Sequence, residues 1–384
     1  MKGASMSGST GAQSLLSSWP RGGPAMPHQM RLDKARELAR GLELDALLVA
    51  SPANIFYFTG FRGAPRLLVP PDGKPILLTP GVDLAAAQQH FSGAEVEVRH
   101  VRVDQRPDDV LLEVLRELQV RRLGFDSLPL ATYRRLAGEL GEEGLAEVVE
   151  QVWELRKVKD KREVAAIRRA CEVASKVMAL VPELLAPGVR ELEVAGELER
   201  ELRLAGSEEH PFPIIVASGP NSALPHARAS GRELRKGDPV VVDLGATCEG
   251  YVSDMTRTFV VGRPEPWQER IYVAVREAQL AAVEALRAGV RACDVDAVAR
   301  NLIDRAGYAD YFVHSLGHGV GIEVHEQPRL APGVEEELRA GYVITVEPGI
   351  YLPGRGGVRI EDTVLVLEEG REVLTGPSAP PRTR

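Results

Sequence analysis

The sequence predicts two domains, an α/β domain followed by a larger α+β domain. A chain of 384 residues exceeds what one hydrophobic core usually supports. As far as about residue 153, short apolar runs alternate with helical patterns, which is typical of α/β layers. Beyond residue 163, a pair of long helical patterns precedes strand-like runs, and this arrangement occurs twice. The repetition indicates an internal duplication.

The N-terminal part divides into a tail and a domain. Residues 1–27 are rich in Ser, Gly and Pro without periodicity, so we expect a disordered tail or a mis-assigned start. Residues 28–153 form the predicted α/β domain. Its helices are expected at 29–41, 82–90, 108–119 and 130–140, and its strands at 46–50, 66–69, 76–78, 96–103, 122–125 and 148–152. This part has neither GxGxxG nor GxxxxGKS, so no nucleotide site is predicted.

A dense charge run, ELRKVKDKRE at 154–163, predicts a solvated linker. The second domain then covers residues 164–384. Its helices are expected at 164–185, 191–206, 266–287 and 294–305, and its strands at 214–217, 240–244, 251–261, 343–346 and 358–367.

Composition excludes several classes of partner. A formal net charge of -8 and a pI near 5.7 argue against nucleic-acid binding, which requires a basic surface. No run approaches eighteen apolar residues, so no membrane span is predicted. Cys171, Cys248 and Cys293 form no CxxC pair. Reduced thiols and a cytoplasmic location are therefore expected.

Four acidic residues stand in apolar, strand-like surroundings. Asp243 lies in VVVDLG, Asp254 in YVSDMTRTF, Glu347 in ITVEPGIY and Glu361 in VRIEDTVLV. Such positions disfavour carboxylates unless a proton, a metal or a cation compensates the charge. An ion pair between Arg359 and Glu361 is an alternative explanation for that strand, but it leaves Glu347 unexplained.

The stretch HSLGHGVGIEVHE, from His314 to Glu326, holds three of the eight histidines. His318 lies between Gly317 and Gly319, and glycines allow close approach of backbone and ligands. With the four acids, His318 gives a mostly oxygen donor set suited to divalent ions such as Mn²⁺. Five donors are too many for one structural zinc. They suit two metal ions about 3.5–4 Å apart that share a water and lower its pKa.

These motifs, in this order, resemble those of the pita-bread (M24) metallopeptidases. The PHAR segment at 225–228, the VHE at 324–326 and the N-terminal α/β domain resemble the Xaa-Pro branch, which contains Xaa-Pro dipeptidases and aminopeptidases. The resemblance implies a creatinase-type N-terminal domain and an α+β pita-bread catalytic domain with internal pseudo-twofold symmetry. It also implies a homodimer that acts on small proline-containing peptides.

The resemblance further implies two divalent ions per subunit, with Mn²⁺ expected and Co²⁺ or Zn²⁺ as alternatives. The implied ligands are Asp243, Asp254, His318, Glu347 and Glu361. Glu347 would also act as general base, and His325 would stabilise the oxyanion of the tetrahedral intermediate. His226, also assigned to catalysis, and His314 would line the proline side of the pocket.

The length of the substrate stays open in the sequence. A dipeptidase must bind the free proline carboxylate, for which Arg329 and Arg359 are the candidates. The short chain and the HEQPR segment favour the dipeptidase over the aminopeptidase. A metal-free enzyme similar to creatinase and a non-catalytic binding protein are disfavoured, because both would lack the ligand set. The segment 54–62 is the candidate for contact with a partner subunit, or else a buried aromatic hairpin.

Overall fold

The computed structural model describes residues 27–63, 66–93 and 96–376. The predicted tail at 1–27 therefore lies outside the described residues, except for Pro27, where the first helix begins. The chain divides into two compact units between Val149 and Glu150. In the described part of the chain, no helix combines the length and apolar character needed to cross a membrane.

The first unit is an α/β layer structure. Its helices are α1 Pro27–Gly41, α2 Pro52–Thr59, α3 Gly81–His90, α4 Pro107–Glu117 and α5 Leu130–Leu140. Its strands are β1 Ala46–Val49, β2 Arg66–Val69, β3 Ile76–Pro80, β4 Glu97–Val101, β5 Leu123–Phe125 and β6 Leu145–Glu147. They form a mixed six-stranded sheet in the order β4-β3-β2-β1-β5-β6. The four residues of β1 are all buried, as a central strand covered on both faces requires.

Two local predictions in this part are wrong. The segment 148–152 was expected to be a strand, but β6 ends at Glu147 and α6 Val149–Lys157 follows. A short run of valines does not distinguish a strand from a buried helical turn. The aromatic segment 54–62 is no hairpin, because residues 54–59 belong to α2, which ends at Thr59 and is capped by Gly60 in the left-handed conformation.

The second unit is built from helix pairs and antiparallel sheets. Its remaining helices are α7 Lys161–Met178, α8 Val181–Leu184, α9 Glu191–Leu204, α10 Pro266–Ala285 and α11 Ala292–Arg305. Its strands are β7 Ile215–Ser218, β8 Pro239–Leu244, β9 Thr247–Cys248, β10 Tyr251–Val252, β11 Met255–Val260, β12 Gly317–Gly319, β13 Glu326–Leu330, β14 Val343–Val346, β15 Gly349–Leu352, β16 Gly356–Arg359, β17 Asp362–Val366 and β18 Arg371–Val373.

The second unit repeats one arrangement, as the sequence predicted. Helices α7 and α9 share a hydrophobic core with the sheet β11-β8-β7. Helices α10 and α11 share another with strands of the sheet β13-β12-β14-β17-β18. Arg190 precedes α9 and forms an isolated antiparallel bridge with Glu233. Arg291 precedes α11 and forms the same bridge with Glu337, so the two halves match in local detail.

The charge run at 154–163 is not solvated as predicted. Arg156, Lys157 and Lys159 are buried, and each forms an ion pair with a glutamate. The partners are Glu326 and Glu336, far along the chain, so the compensation of charge could not be read from the run itself. A buried cation requires such a partner.

Candidate active site

The four acidic candidates occupy matching places in the two halves. Asp243 lies in β8, and Asp254 immediately precedes β11, the antiparallel neighbour of β8. Glu347 immediately follows β14, and Glu361 immediately precedes β17, the antiparallel neighbour of β14. Each half therefore presents two carboxylates at one end of a strand pair, and the duplicated fold brings both pairs to one site.

His318 lies in the middle of β12, between β13 and β14. A Cβ on Gly317 would collide with the carbonyl oxygen of Thr345, and one on Gly319 with that of Gln327. Both flanking positions must therefore be glycine for the three strands to pack this closely. The close packing delivers the imidazole to the carboxylates.

The distances define a compact cluster. Nε2 of His318 lies 3.2 Å from Oε1 of Glu347 and 3.8 Å from Oδ2 of Asp254. One donor atom each from Asp254, His318 and Glu361 lie within 4.8 Å of one another. Asp254 is 5% exposed and Glu361 1%. Carboxylates this deeply buried require compensation by a positive charge.

Several carboxylate oxygens of the cluster lack the partner that burial demands. Within the described part of the chain, Oδ1 of Asp243, Oδ1 of Asp254 and Oε1 of Glu361 are buried and accept no hydrogen bond. Buried polar atoms in folded proteins are nearly always paired. Orphan oxygens beside an imidazole fit the coordination of divalent cations, which prefer this mixture of hard donors.

Electrostatics within the cluster supports the same interpretation. Burial, with the charges of Glu361 and Asp243, raises the pKa of Asp254 well above its usual range. Burial, with the charges of Glu347 and Asp243, does the same to the pKa of Glu361. Burial would also raise the pKa of Glu347, but the hydrogen bond and charge of His318, together with the charges of His314 and Arg359, outweigh burial and lower that pKa to about 2. Four carboxylates cannot all be ionised here without added positive charge.

The cluster lies on the wall of a cavity of about 770 Å³. The predicted residues His226, His314, His325, Arg329 and Arg359 all line this cavity together with the four acids and His318. The ring of His325 stands edge-on to that of His318, with centroids 4.3 Å apart. The structure thus brings every predicted site residue to one cavity of the second unit.

Residues 165–368 match the model of metallopeptidase family M24. The chain belongs to this family. Residues 31–158 match the N-terminal domain of creatinases and prolidases. Membership of a metallopeptidase family implies divalent metal ions, and the cluster of Asp254, His318 and Glu361 could hold one.

Relatives and solved structures of known name resemble the chain over nearly its whole length. An Xaa-Pro dipeptidase of Pyrococcus furiosus is 39% identical over 348 residues, which is 90% of this chain and 97% of the relative. The crystal structure of the prolidase from Pyrococcus horikoshii has a TM-score of 0.85 at 36% identity and covers 92% of this chain and 99% of its own. An X-Pro aminopeptidase from Thermotoga maritima has a TM-score of 0.84 at 34% identity, with 91% and 98% covered.

The two candidate arginines have different surroundings in this M24 metallopeptidase. Arg359 is buried and donates to Oδ2 of Asp243 at 2.6 Å, to Oγ1 of Thr256, to the carbonyl of Pro225 and to the hydroxyl of Tyr351. It forms no hydrogen bond with Glu361, because β16 ends at Arg359 and the chain turns before β17. Arg329 is exposed and forms no ion pair with any residue that the structure describes.

Two residues near the site were missed in the sequence. Tyr351, in the ITVEPGIY motif, accepts from Arg359 and lies 2.9 Å from Nε2 of His314. The sequence signal for Tyr351 was its place in a short strand after Glu347.

Glu191, at the start of α9, had no such signal in the sequence. Its buried carboxylate accepts hydrogen bonds from the backbone and hydroxyl of both Ser218 and Ser230, and so fastens both ends of the segment carrying His226.

Proposed function

We propose that this M24 metallopeptidase hydrolyses the Xaa-Pro bond of dipeptides. The observation that carries the proposal is the buried carboxylate cluster, with its orphan oxygens, on the wall of a cavity that also presents three histidines and an unpaired arginine. The names of the Pyrococcus relatives support the same substrate class. Proline has no N–H and its ring is rigid, so a peptidase for this bond needs a pocket shaped for the ring.

Asp243, Asp254, His318, Glu347 and Glu361 would hold two divalent ions. Mn²⁺ is the proposed metal because the donors are mostly carboxylate oxygens, with Co²⁺ and Zn²⁺ as alternatives. When bound, such ions polarise a carbonyl group and lower the pKa of a water molecule.

The chain's own groups would move the protons and bind the substrate. Oε of Glu347 would accept a proton from the attacking water and deliver it to the leaving proline nitrogen. An N–H of His325 would donate to the oxygen of the tetrahedral intermediate. His226 and His314 would line the proline side, and Tyr351 and Ser315 fix the ring of His314 by hydrogen bonds.

The free carboxylate of the proline would bind Arg329. Arg329 lines the cavity and is not engaged by any described residue, whereas Arg359 already donates to four groups. We therefore assign Arg329 to the substrate and Arg359 to the positioning of Asp243. A charge-assisted, bidentate pair with a carboxylate suits the guanidinium geometry.

The alternative is an Xaa-Pro aminopeptidase that accepts longer peptides. The Thermotoga structure favours it, since its TM-score is close to that of the prolidase. Turnover of an Xaa-Pro dipeptide and of its C-terminal amide, by wild type and Arg329→Ala, separates the two functions. A hydrogen bond to a charged group contributes about 1.5–3 kcal/mol. Amidation should therefore impair the wild type strongly and the variant little further.

A result in which amidation leaves wild-type turnover unchanged contradicts the dipeptidase and supports the aminopeptidase. Arg359→Lys serves as the comparison variant. It should impair hydrolysis of both substrates equally, because it acts through Asp243 and not through the proline carboxylate. We further propose a cytoplasmic homodimer, with residues 54–62 as the segment that contacts the partner subunit; sedimentation velocity tests the dimer.

A further inference from the structure

Trp153 is a cavity residue that no part of the predicted site includes. It lies in α6 and lines the same cavity as the carboxylate cluster. The indole is only half-buried, and its Nε1–H donates to no residue that the structure describes. A large flat side chain is thus presented to the space in which a substrate would bind.

A network of buried charges holds the indole in place. The guanidinium of Arg156 stacks over the ring, with its central carbon 4.4 Å from the ring centroid. Arg156 is 2% exposed and forms ion pairs with Glu323, at 3.0 Å, and with Glu326. Glu326 also pairs with Lys159 at 3.1 Å. Moving the indole would uncover a buried cation, so this wall of the cavity resists displacement.

The same network locates the indole relative to the proposed substrate. Glu326 begins β13, and Gln327 and Arg329 of that strand line the cavity. Only the guanidinium of Arg156 therefore lies between the indole of Trp153 and Glu326 at the start of this strand. Under the proposed function, Arg329 binds the free carboxylate of the proline, so the part of the cavity wall formed by Trp153 and β13 carries the group that holds the C-terminal end of the dipeptide.

We propose that Trp153 closes the cavity behind the proline carboxylate and restricts the substrate to a single residue after the cleaved bond. In a longer peptide, the carboxyl carbon of the proline is bonded to a further residue. That residue would extend toward the indole. A rigid group that obstructs the wrong substrate is a common source of specificity. Trp153 is a specificity-determining residue in this proposal, which rests on the proposed function, and Arg156 and Glu326 position it.

The decisive experiment compares hydrolysis of Ala-Pro and Ala-Pro-Ala by wild type, Trp153→Ala and Trp153→Phe. The ratio of kcat/KM for the tripeptide to that for the dipeptide should rise about tenfold or more in Trp153→Ala, and little in Trp153→Phe. Trp267→Phe is the matched control. Trp267 also carries an arginine over its ring, Arg355 at 4.6 Å, but it is buried and does not line the cavity.

An unchanged ratio in Trp153→Ala overturns the proposal, as does an equal loss of both activities. If the wild type hydrolyses neither peptide, the proposed function fails instead, and binding of proline still tests the position of the indole. Proline should change tryptophan emission in wild type and in Trp267→Phe, but not in Trp153→Phe. A change that persists in Trp153→Phe excludes Trp153 from the binding cavity.

Discussion

Glu326 should make the stability of the second unit sensitive to acid. Its carboxylate is buried, pairs with Arg156 and Lys159 and accepts hydrogen bonds from the backbone of Ile322 and Glu323. Burial alone would raise the pKa of Glu326, but the charges of Lys159 and Arg156 outweigh it and lower the pKa to about 2, against an ordinary value of 4.5.

The direction follows from the depressed pKa. The unfolded chain takes up the proton first, so the stabilisation is complete above pH 4.5 and is lost as the pH falls toward 2. The full contribution is about 3 kcal/mol, of which about 1 kcal/mol should be lost between pH 7 and pH 3.5. Glu326→Gln removes the negative charge from two buried cations, so it should cost about 3–5 kcal/mol at pH 7.

Urea unfolding of metal-free protein measures both quantities. Tryptophan emission is a suitable signal because two of the three tryptophans, Trp153 and Trp267, belong to the second unit. The difference in unfolding free energy between wild type and Glu326→Gln should shrink by about 1 kcal/mol from pH 7 to pH 3.5. Glu372→Gln, which breaks the surface pair with Arg168, should cost at most about 1 kcal/mol. A difference for Glu326 that does not change with pH refutes the reasoning.

Three further outcomes follow from the site. Asp254→Asn or Glu361→Gln should abolish hydrolysis and reduce bound metal without unfolding the protein. Metal analysis and circular dichroism measure these two effects. Full activity with one ion or none per chain contradicts the two-metal site. His325→Ala should lower kcat about a hundredfold at unchanged metal content, and an effect on KM alone would make it a ground-state binder. Glu191→Gln should accelerate amide exchange in residues 219–231 relative to the rest of the second unit, and uniform exchange would exclude its role in fastening that segment.

The sequence predicted the repeated pairs of helices and strands, and the acidic residues that interrupt their apolar patterns. Helices α9 and α10 carry long amphipathic patterns, and such segments are assigned reliably from periodicity. The acids at 243 and 347 were visible because a carboxylate rarely belongs at the end of an apolar strand. With His318 they gave a donor set that suits two metal ions, and the order of the motifs resembled that of one family.

What the sequence could not show is pairing over long distances. Arg156 meets Glu326, 170 residues along the chain, so a charge run that reads as solvated is buried in the fold. An ion pair between Arg359 and Glu361 was the alternative explanation for their spacing in one strand, but the chain turns between them and Arg359 pairs with Asp243 instead. Trp153 gave no signal at all, since its importance depends only on which surface α6 covers.

Hydrolysis of Xaa-Pro and Xaa-Pro-Yaa peptides by the Mn²⁺-loaded enzyme, measured side by side, tests the central claim most directly. The account predicts rapid cleavage of the dipeptide, slow cleavage of the tripeptide, and loss of both after removal of the metal with a chelator. Equal rates on the two substrates would make the protein an Xaa-Pro aminopeptidase. Cleavage of neither substrate would contradict the proposed function itself.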